Sequence, residues 1–187
     1  ARQLFRLEER VTMEAASLVE NLPNESRRED TSPPVGGKIV IIGATPIGLL
    51  AVQVARLVSP AALILAGRSA GRLRLAADLG ATGTVNTADE GHRRELSRLT
   101  GERGADTAIV CGYEGSDLQL ALDVAGLEES STSGHFDPTA ELPLSPSRDL
   151  LWKALTLTVN RGWRTAAEDS ARAVDLVTSG VVDVLPL

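Results

Sequence analysis

The sequence predicts a doubly wound α/β domain, a mostly parallel six-stranded sheet with helices on both faces. Three observations predict it. Short apolar runs alternate with helical stretches from Lys38 onward, the rhythm of a parallel sheet whose strands are joined by helices. The runs are apolar at nearly every position instead of every second one, as in strands covered on both faces. The core must also be aliphatic, since 187 residues include two Trp, one Tyr and two Phe while 43% are hydrophobic.

The elements follow in order. Thr12 caps a short helix to Glu20, with Met13, Ala16 and Val19 on one face. NLPNESRREDTSPPVGG, 21–37, is polar and broken by Pro23, Pro33 and Pro34, a linker by composition. The chain therefore divides into an N-terminal helix and linker, 1–37, and a compact domain, 38–187. KIVIIG is the first strand and Pro46 to Leu57 its helix. AALILAG (61–67) is the second strand, and the helix after it, 69–80, stops at Gly80. TGTVN (82–86), a charged helix over 91–101, ADTAIVCG (105–112) and a helix over 116–126 continue the alternation. EESSTSGHF (128–136) takes the place of a fifth strand although it is mostly polar. LTLTVN (155–160) is the last strand, and 166–180 the closing helix. Right-handed crossovers then make a Rossmann-type sheet.

Composition excludes several roles. A net charge of −6 argues against nucleic acid or an anionic membrane as partner. No apolar run spans a bilayer, and the N-terminus lacks a hydrophobic signal core, so a cytoplasmic location is expected. One cysteine, Cys111, excludes an intramolecular disulfide. With only His92 and His135 besides, a metal would need carboxylates for most of its ligands, and no zinc is expected.

The chemistry belongs at the carboxyl ends of the strands, where such sheets hold ligands. There the turn GATPIG, Gly43 to Gly48, leads from strand to helix. A helix starting at Pro46 offers free N–H groups and a positive dipole end to a phosphate. Gly43 permits the tight turn and Gly48 close helix packing, while Thr45 replaces the middle glycine of the dinucleotide signature. Its hydroxyl is a candidate phosphate donor, and its bulk equally fits a loop that has lost its nucleotide. Thr45, Pro46 and Ile47 complete the candidate phosphate site, and Gly112, at the end of strand four, is a further candidate cofactor contact. At the end of strand two, Gly67 stands where a ribose-binding carboxylate would select NAD, and Arg68, Ser69 and Arg72 follow. That set suits a 2′-phosphate and hence NADP(H). Both arginines also read as solvated helix charges.

These residues resemble the nucleotide-binding half of the medium-chain dehydrogenase/reductase family, which includes zinc alcohol and polyol dehydrogenases. The matching segments are MEAASLVE, GGKIVIIGATPIGLLAVQVARL, GRSAGRLRLAADLGAT, LTGERGADTAIVCG and AVDLVTSGVVDVLPL, in family order over Met13 to Leu187. The resemblance implies a GroES-like catalytic domain carrying the zinc ligands, for which residues 1–37 would be the remnant of the junction. Glu20 matches a glutamate near the catalytic zinc of polyol dehydrogenases, with Asn21 in place of the proline that follows it. Val110 stands where many relatives carry an acid, and CGYEG replaces their small-residue turn. The resemblance also implies a homodimer through the last strand, 155–160, an alternating edge suited to pairing with its twin.

Among the remaining residues, Cys111 reads as a buried thiol and His92 as a solvated helix residue. Tyr113 and Trp163 either line the crevice or cap the core. His135 is a candidate acid or base beside the cofactor site. Three functions are therefore open: an NADP(H)-binding domain served by a separate catalytic domain or chain, a degenerate binding module, or a small acid–base enzyme using His135.

Overall fold

The computed structural model describes residues 11–12, 35–126, 131–134, 155–159, 167–184 and 186–187. The expected helix after Thr12, the linker 21–34, His135 and Trp163 lie outside the described residues. Six strands and five α-helices follow in turn: β1 (Lys38–Ile42), α1 (Pro46–Ala55), β2 (Ala62–Gly67), α2 (Ala70–Asp78), β3 (Gly83–Asn86), α3 (His92–Thr100), β4 (Thr107–Val110), α4 (Gly115–Val124), β5 (Ser131–Gly134), β6 (Thr156–Val159) and α5 (Ala167–Thr178).

The sheet order is β3-β2-β1-β4-β5-β6, and every neighbouring pair is parallel. The order reverses at β1, so the crevice above the β1 end is the topological switch point of a doubly wound sheet. β3, β2, β1 and β4 carry the packed core, while β5 and β6 extend the sheet by backbone pairing.

Strand side chains alternate between two aliphatic layers. Ile39, Ile41, Leu63, Leu65 and Ile109 face α1 and α2, packing on Leu49, Val52, Leu73 and Ala76. Val40, Ile42, Ile64, Ala66 and Ala108 face the other way, onto Leu96 of α3 and Leu118, Ala121 and Leu122 of α4. This two-sided burial explains why KIVII and ALILAG are apolar throughout.

α1 is apolar nearly all round because it too is covered twice. Its far side packs Leu50 against Ala173, Val182 and Val184. Its one interior polar residue, Gln53, is 2% exposed. The carboxamide donates from Nε2 to the Asp183 carbonyl at 2.8 Å and accepts the Asp183 N–H on Oε1 at 2.7 Å. It thereby pins the C-terminal segment to the helix.

Several expected boundaries move. α1 ends at Ala55 and tightens into a 3₁₀ turn over Arg56–Val58, which Ser59 closes with φ 51. Strand four is shorter than 105–112. Ala105 makes only an isolated bridge to Ala125, and at the other end Cys111 N and Gly112 N both donate to the Ile42 carbonyl, which turns the chain away from the ladder. α4 begins one residue earlier than expected, at Gly115. The polar segment STSG forms β5, between β4 and β6.

Candidate functional site

The loop Gly43–Thr45 joins β1 to α1 and forms the floor of the crevice. Gly43 has φ +111, and a Cβ on it would overlap the Gly112 backbone, so this turn admits no other residue without movement. A Cβ on Gly48 would likewise overlap the Gly43 carbonyl. The two outer glycines of the signature are thus required by packing of loop, helix and β4 turn.

Thr45 has an extended backbone, φ −98 and ψ 169, which needs no glycine. It is the N-cap of α1: Oγ1 accepts the Gly48 N–H at 3.1 Å and donates to the Cys111 carbonyl at 2.9 Å. The hydroxyl expected to reach for a phosphate is therefore engaged within the protein on both sides. It satisfies one of the helix's first-turn amides and ties α1 to the end of β4. Pro46 supplies no N–H at the next position. The Ile47 amide has no acceptor among the described residues, and it lies in the first turn, where helix amides point toward the N-terminus.

At the end of β2, a Cβ on Gly67 would meet the Ala44 Cβ and N at 2.5 Å. Gly67 stands at the position expected of a ribose-binding carboxylate, and the space beside it is not open. Its side-chain position is filled by Ala44, which bars a carboxylate from this place. Ser69 caps α2, its Oγ accepting the Arg72 N–H at 3.4 Å. The Arg72 guanidinium folds onto the loop and donates to the Ala44 carbonyl at 3.3 Å. Arg68 reaches across to Glu114, the N-cap of α4, with both Nη1 and Nη2 donating to the two carboxylate oxygens at 2.8 Å. Neither arginine is a merely solvated helix charge.

The turn after β4 completes the wall. Cys111 is buried within the layer of Ile41 and Leu49. A Cβ on Gly112 would overlap the Asp117 carboxylate, which folds back to accept the Glu114 N–H at 3.2 Å. Burial holds the Asp117 carboxyl above the usual carboxylate range, against the Glu114 N–H that favours its ionised form. The Glu114 charge adds to the rise and Arg68 opposes it. Tyr113 is 74% exposed and caps no core. Away from this cluster, His92 Nδ1–H donates to the Asp89 carbonyl at 2.7 Å and is tied to its own helix start.

Of the expected site residues, Gly43, Thr45, Pro46, Ile47, Gly48, Gly67, Arg68, Ser69, Arg72 and Gly112 gather around the β1, β2 and β4 ends. Glu114 and Asp117 were not anticipated. Their signal was the acidic pair three apart at the start of a helix, a capping pattern. The donor set fits a dinucleotide phosphate: a first-turn amide, a helix dipole and two guanidinium groups, one already holding an oxyanion in bidentate fashion. Among the described residues, no group of three or more His, Cys, Asp or Glu is gathered to hold a metal. No helix among them is long and apolar enough to cross a membrane.

Comparison with known proteins agrees with this architecture. The zinc-binding dehydrogenase family model matches residues 46–179. L-threonine 3-dehydrogenase of Bacillus subtilis (strain 168) is 31% identical over 182 residues, covering 92% of this chain and 49% of that protein. The 2-dehydro-3-deoxy-L-galactonate 5-dehydrogenase of Pseudoalteromonas atlantica is 30% identical over 192 residues, covering 100% and 53%. A structure from Sinorhizobium meliloti 1021, described as a zinc-binding dehydrogenase bound to NADP, superposes with a TM-score of 0.79 at 25% identity, over 96% of this chain and 52% of that one. An alcohol dehydrogenase of Escherichia coli CFT073 complexed with NADH has a TM-score of 0.81 at 18% identity and shares the fold, over 96% and 52%.

The chain belongs to the zinc-binding dehydrogenase family, within the medium-chain dehydrogenases/reductases. It spans about half the length of the curated relatives it matches, and the part matched is their nucleotide-binding half.

Proposed function

We propose that this domain binds NADP(H) and serves as the cofactor half of a medium-chain dehydrogenase/reductase. The observation that carries this reading is the end of β2, where the Arg72 guanidinium reaches the phosphate loop, Arg68 holds the Glu114 carboxylate beside it, and Ala44 fills the place of a ribose-binding carboxylate. An acid there would repel a 2′-phosphate, whereas a guanidinium takes it in bidentate fashion. The NADP bound by the Sinorhizobium relative is in keeping with that choice.

The nicotinamide ring supplies hydride transfer when the cofactor is bound. The residues of this chain bind and orient it. The Ile47 amide and the α1 dipole receive the pyrophosphate, Arg72 holds the loop while adding positive charge, and Arg68 takes the 2′-phosphate. The substrate site is completed by a catalytic domain or chain, to which this reading assigns the zinc ligands. Pairing of β6, at the open edge of the sheet, with its twin accompanies this reading. Sedimentation at tens of micromolar should give twice the monomer mass, and a clean monomer would remove the dimer.

Titration with NADPH and NADH, followed by nicotinamide fluorescence, tests the assignment. NADPH should bind in the micromolar range, NADH at least tenfold more weakly. Arg68→Ala should cost NADPH about 10- to 100-fold, the worth of a hydrogen-bonded charge pair of about 1.5–3 kcal/mol. Absence of binding by either at millimolar concentration would refute it. One observation favours the second reading, a module without nucleotide: the Thr45 hydroxyl and the Arg68 guanidinium are both engaged within the protein. The same titration decides between the two.

A further inference from the structure

Arg68 and Glu114 belong to strands that do not touch. Arg68 directly follows β2, Glu114 lies four residues beyond the end of β4, and β1 separates the two strands. The pair therefore bridges two strand spacings, roughly 10 Å of sheet, across the carboxyl end of β1. That end carries the Gly43–Thr45 loop. Nη1 donates to Oε1 and Nη2 to Oε2, each at 2.8 Å, so the Nη1/Nη2 edge of Arg68, one that a phosphate would use, is turned onto Glu114. The carboxylate is itself oriented: Ser116 Oγ donates to its Oε2 at 3.3 Å, and the residue is fixed as the N-cap of α4 by its own N–H to Asp117.

We propose that Glu114 is a resident competitor for the Arg68 guanidinium and thereby sets how strongly the site prefers 2′-phosphorylated adenosine. The inference rests on the NADP(H) reading above. Its basis is charge geometry. The Glu114 carboxylate occupies the Nη1/Nη2 edge, and a 2′-phosphate that takes that edge must open the pair. Once displaced, the carboxylate stays beside a phosphate dianion that it repels. Glu114 therefore weakens binding of the phosphorylated nucleotide twice, by holding its partner and by opposing its charge. An unphosphorylated ribose makes no claim on Arg68 and is little affected.

The competition is moderate in size because the pair is exposed, 61% at Arg68 and 56% at Glu114. Opening an exposed pair costs up to about fivefold in affinity, and residual repulsion through water adds about twofold. Removing the charge should thus tighten the phosphorylated ligand by roughly three- to tenfold.

The test uses the full chain and its Glu114→Gln variant, with adenosine 2′,5′-bisphosphate and adenosine 5′-monophosphate as probes in calorimetric titrations. Glutamine keeps the side chain's length and a capping oxygen, and a thermal melt verifies that the variant is folded. The expected result is a three- to tenfold gain for the bisphosphate with the monophosphate changed by less than about twofold. A bisphosphate affinity unchanged or weakened in the variant, while the unmodified protein binds it, overturns the competitor role and leaves the NADP(H) reading standing. An equal gain for both probes also overturns it, since Glu114 would then act as a general repulsive charge. Failure of both proteins to bind the bisphosphate at millimolar concentration refutes the NADP(H) reading and the inference together.

Discussion

Replacing Thr45 with serine, alanine and glycine separates what its hydroxyl does from what its bulk does. The structure gives the hydroxyl two bonds, one from the Gly48 N–H and one to the Cys111 carbonyl. Alanine loses both. The cap is worth about 1 kcal/mol and the tertiary hydrogen bond about the same. Thr45→Ala should therefore cost about 2 kcal/mol, a fall in Tm of roughly 4–8 °C for a chain of this length. Glycine is nearly as good a cap as threonine, but it forfeits the Cys111 bond and adds freedom to the unfolded chain. Thr45→Gly, which restores the dinucleotide signature, should thus destabilise by about 1.5–2 kcal/mol. Serine keeps both bonds and should fall within about 0.5 kcal/mol of the parent. Urea unfolding followed by far-UV circular dichroism measures all three. If serine proves as damaging as alanine, or glycine more stable than threonine, the hydroxyl is not what secures the loop, and Thr45 is then only an obstruction in a phosphate site.

Two further outcomes follow from the buried polar contacts. Gln53→Ala removes both bonds to the Asp183 backbone and should cost about 2–3 kcal/mol. Limited proteolysis should then cut the chain beyond Thr178 faster than in the parent, and an unchanged cleavage rate would show that the segment is held otherwise. Asp117→Asn addresses pH. A carboxyl whose folded pKa is raised binds its proton more tightly in the native state, so folding is opposed once pH rises above that pKa. The opposition fades as pH falls through the folded pKa toward the ordinary aspartate value. The asparagine variant, which keeps an acceptor for the Glu114 N–H, should therefore melt higher than the parent at pH 7–8, with the gap closing near pH 4. Parallel pH profiles for the two proteins would contradict the burial argument.

The strands most visible in the sequence are those whose physics is one-dimensional. KIVII and ALILAG lie between two helix layers, so every position is apolar and the run announces itself. STSG gave little sign of being a strand, because backbone pairing to TAIV and TLTV places it there and its own side chains say nothing of that. The glycines at 43 and 48 were legible as a turn, since few other residues fit such spacing before a helix. Arg68 and Arg72 were legible as charges just after the second strand. Their partners were not, because the Glu114 contact joins residues 46 apart and exists only once β1 has been placed between β2 and β4. For Thr45 the cap was legible, since a threonine three residues before Gly48 is a capping pattern, but its bond to the Cys111 carbonyl, 66 residues away, was not.

The Gln53 carboxamide has a mechanical consequence. It grips the chain at Asp183, and from Gln53 back to Ile47 runs about 9 Å of unbroken helix. That helix is rigid, wedged between the sheet and α5, and its forward end is welded to β4 through Thr45 and Cys111. The segment at Asp183 and the mouth of the site are thus fastened to the two halves of one continuous helix.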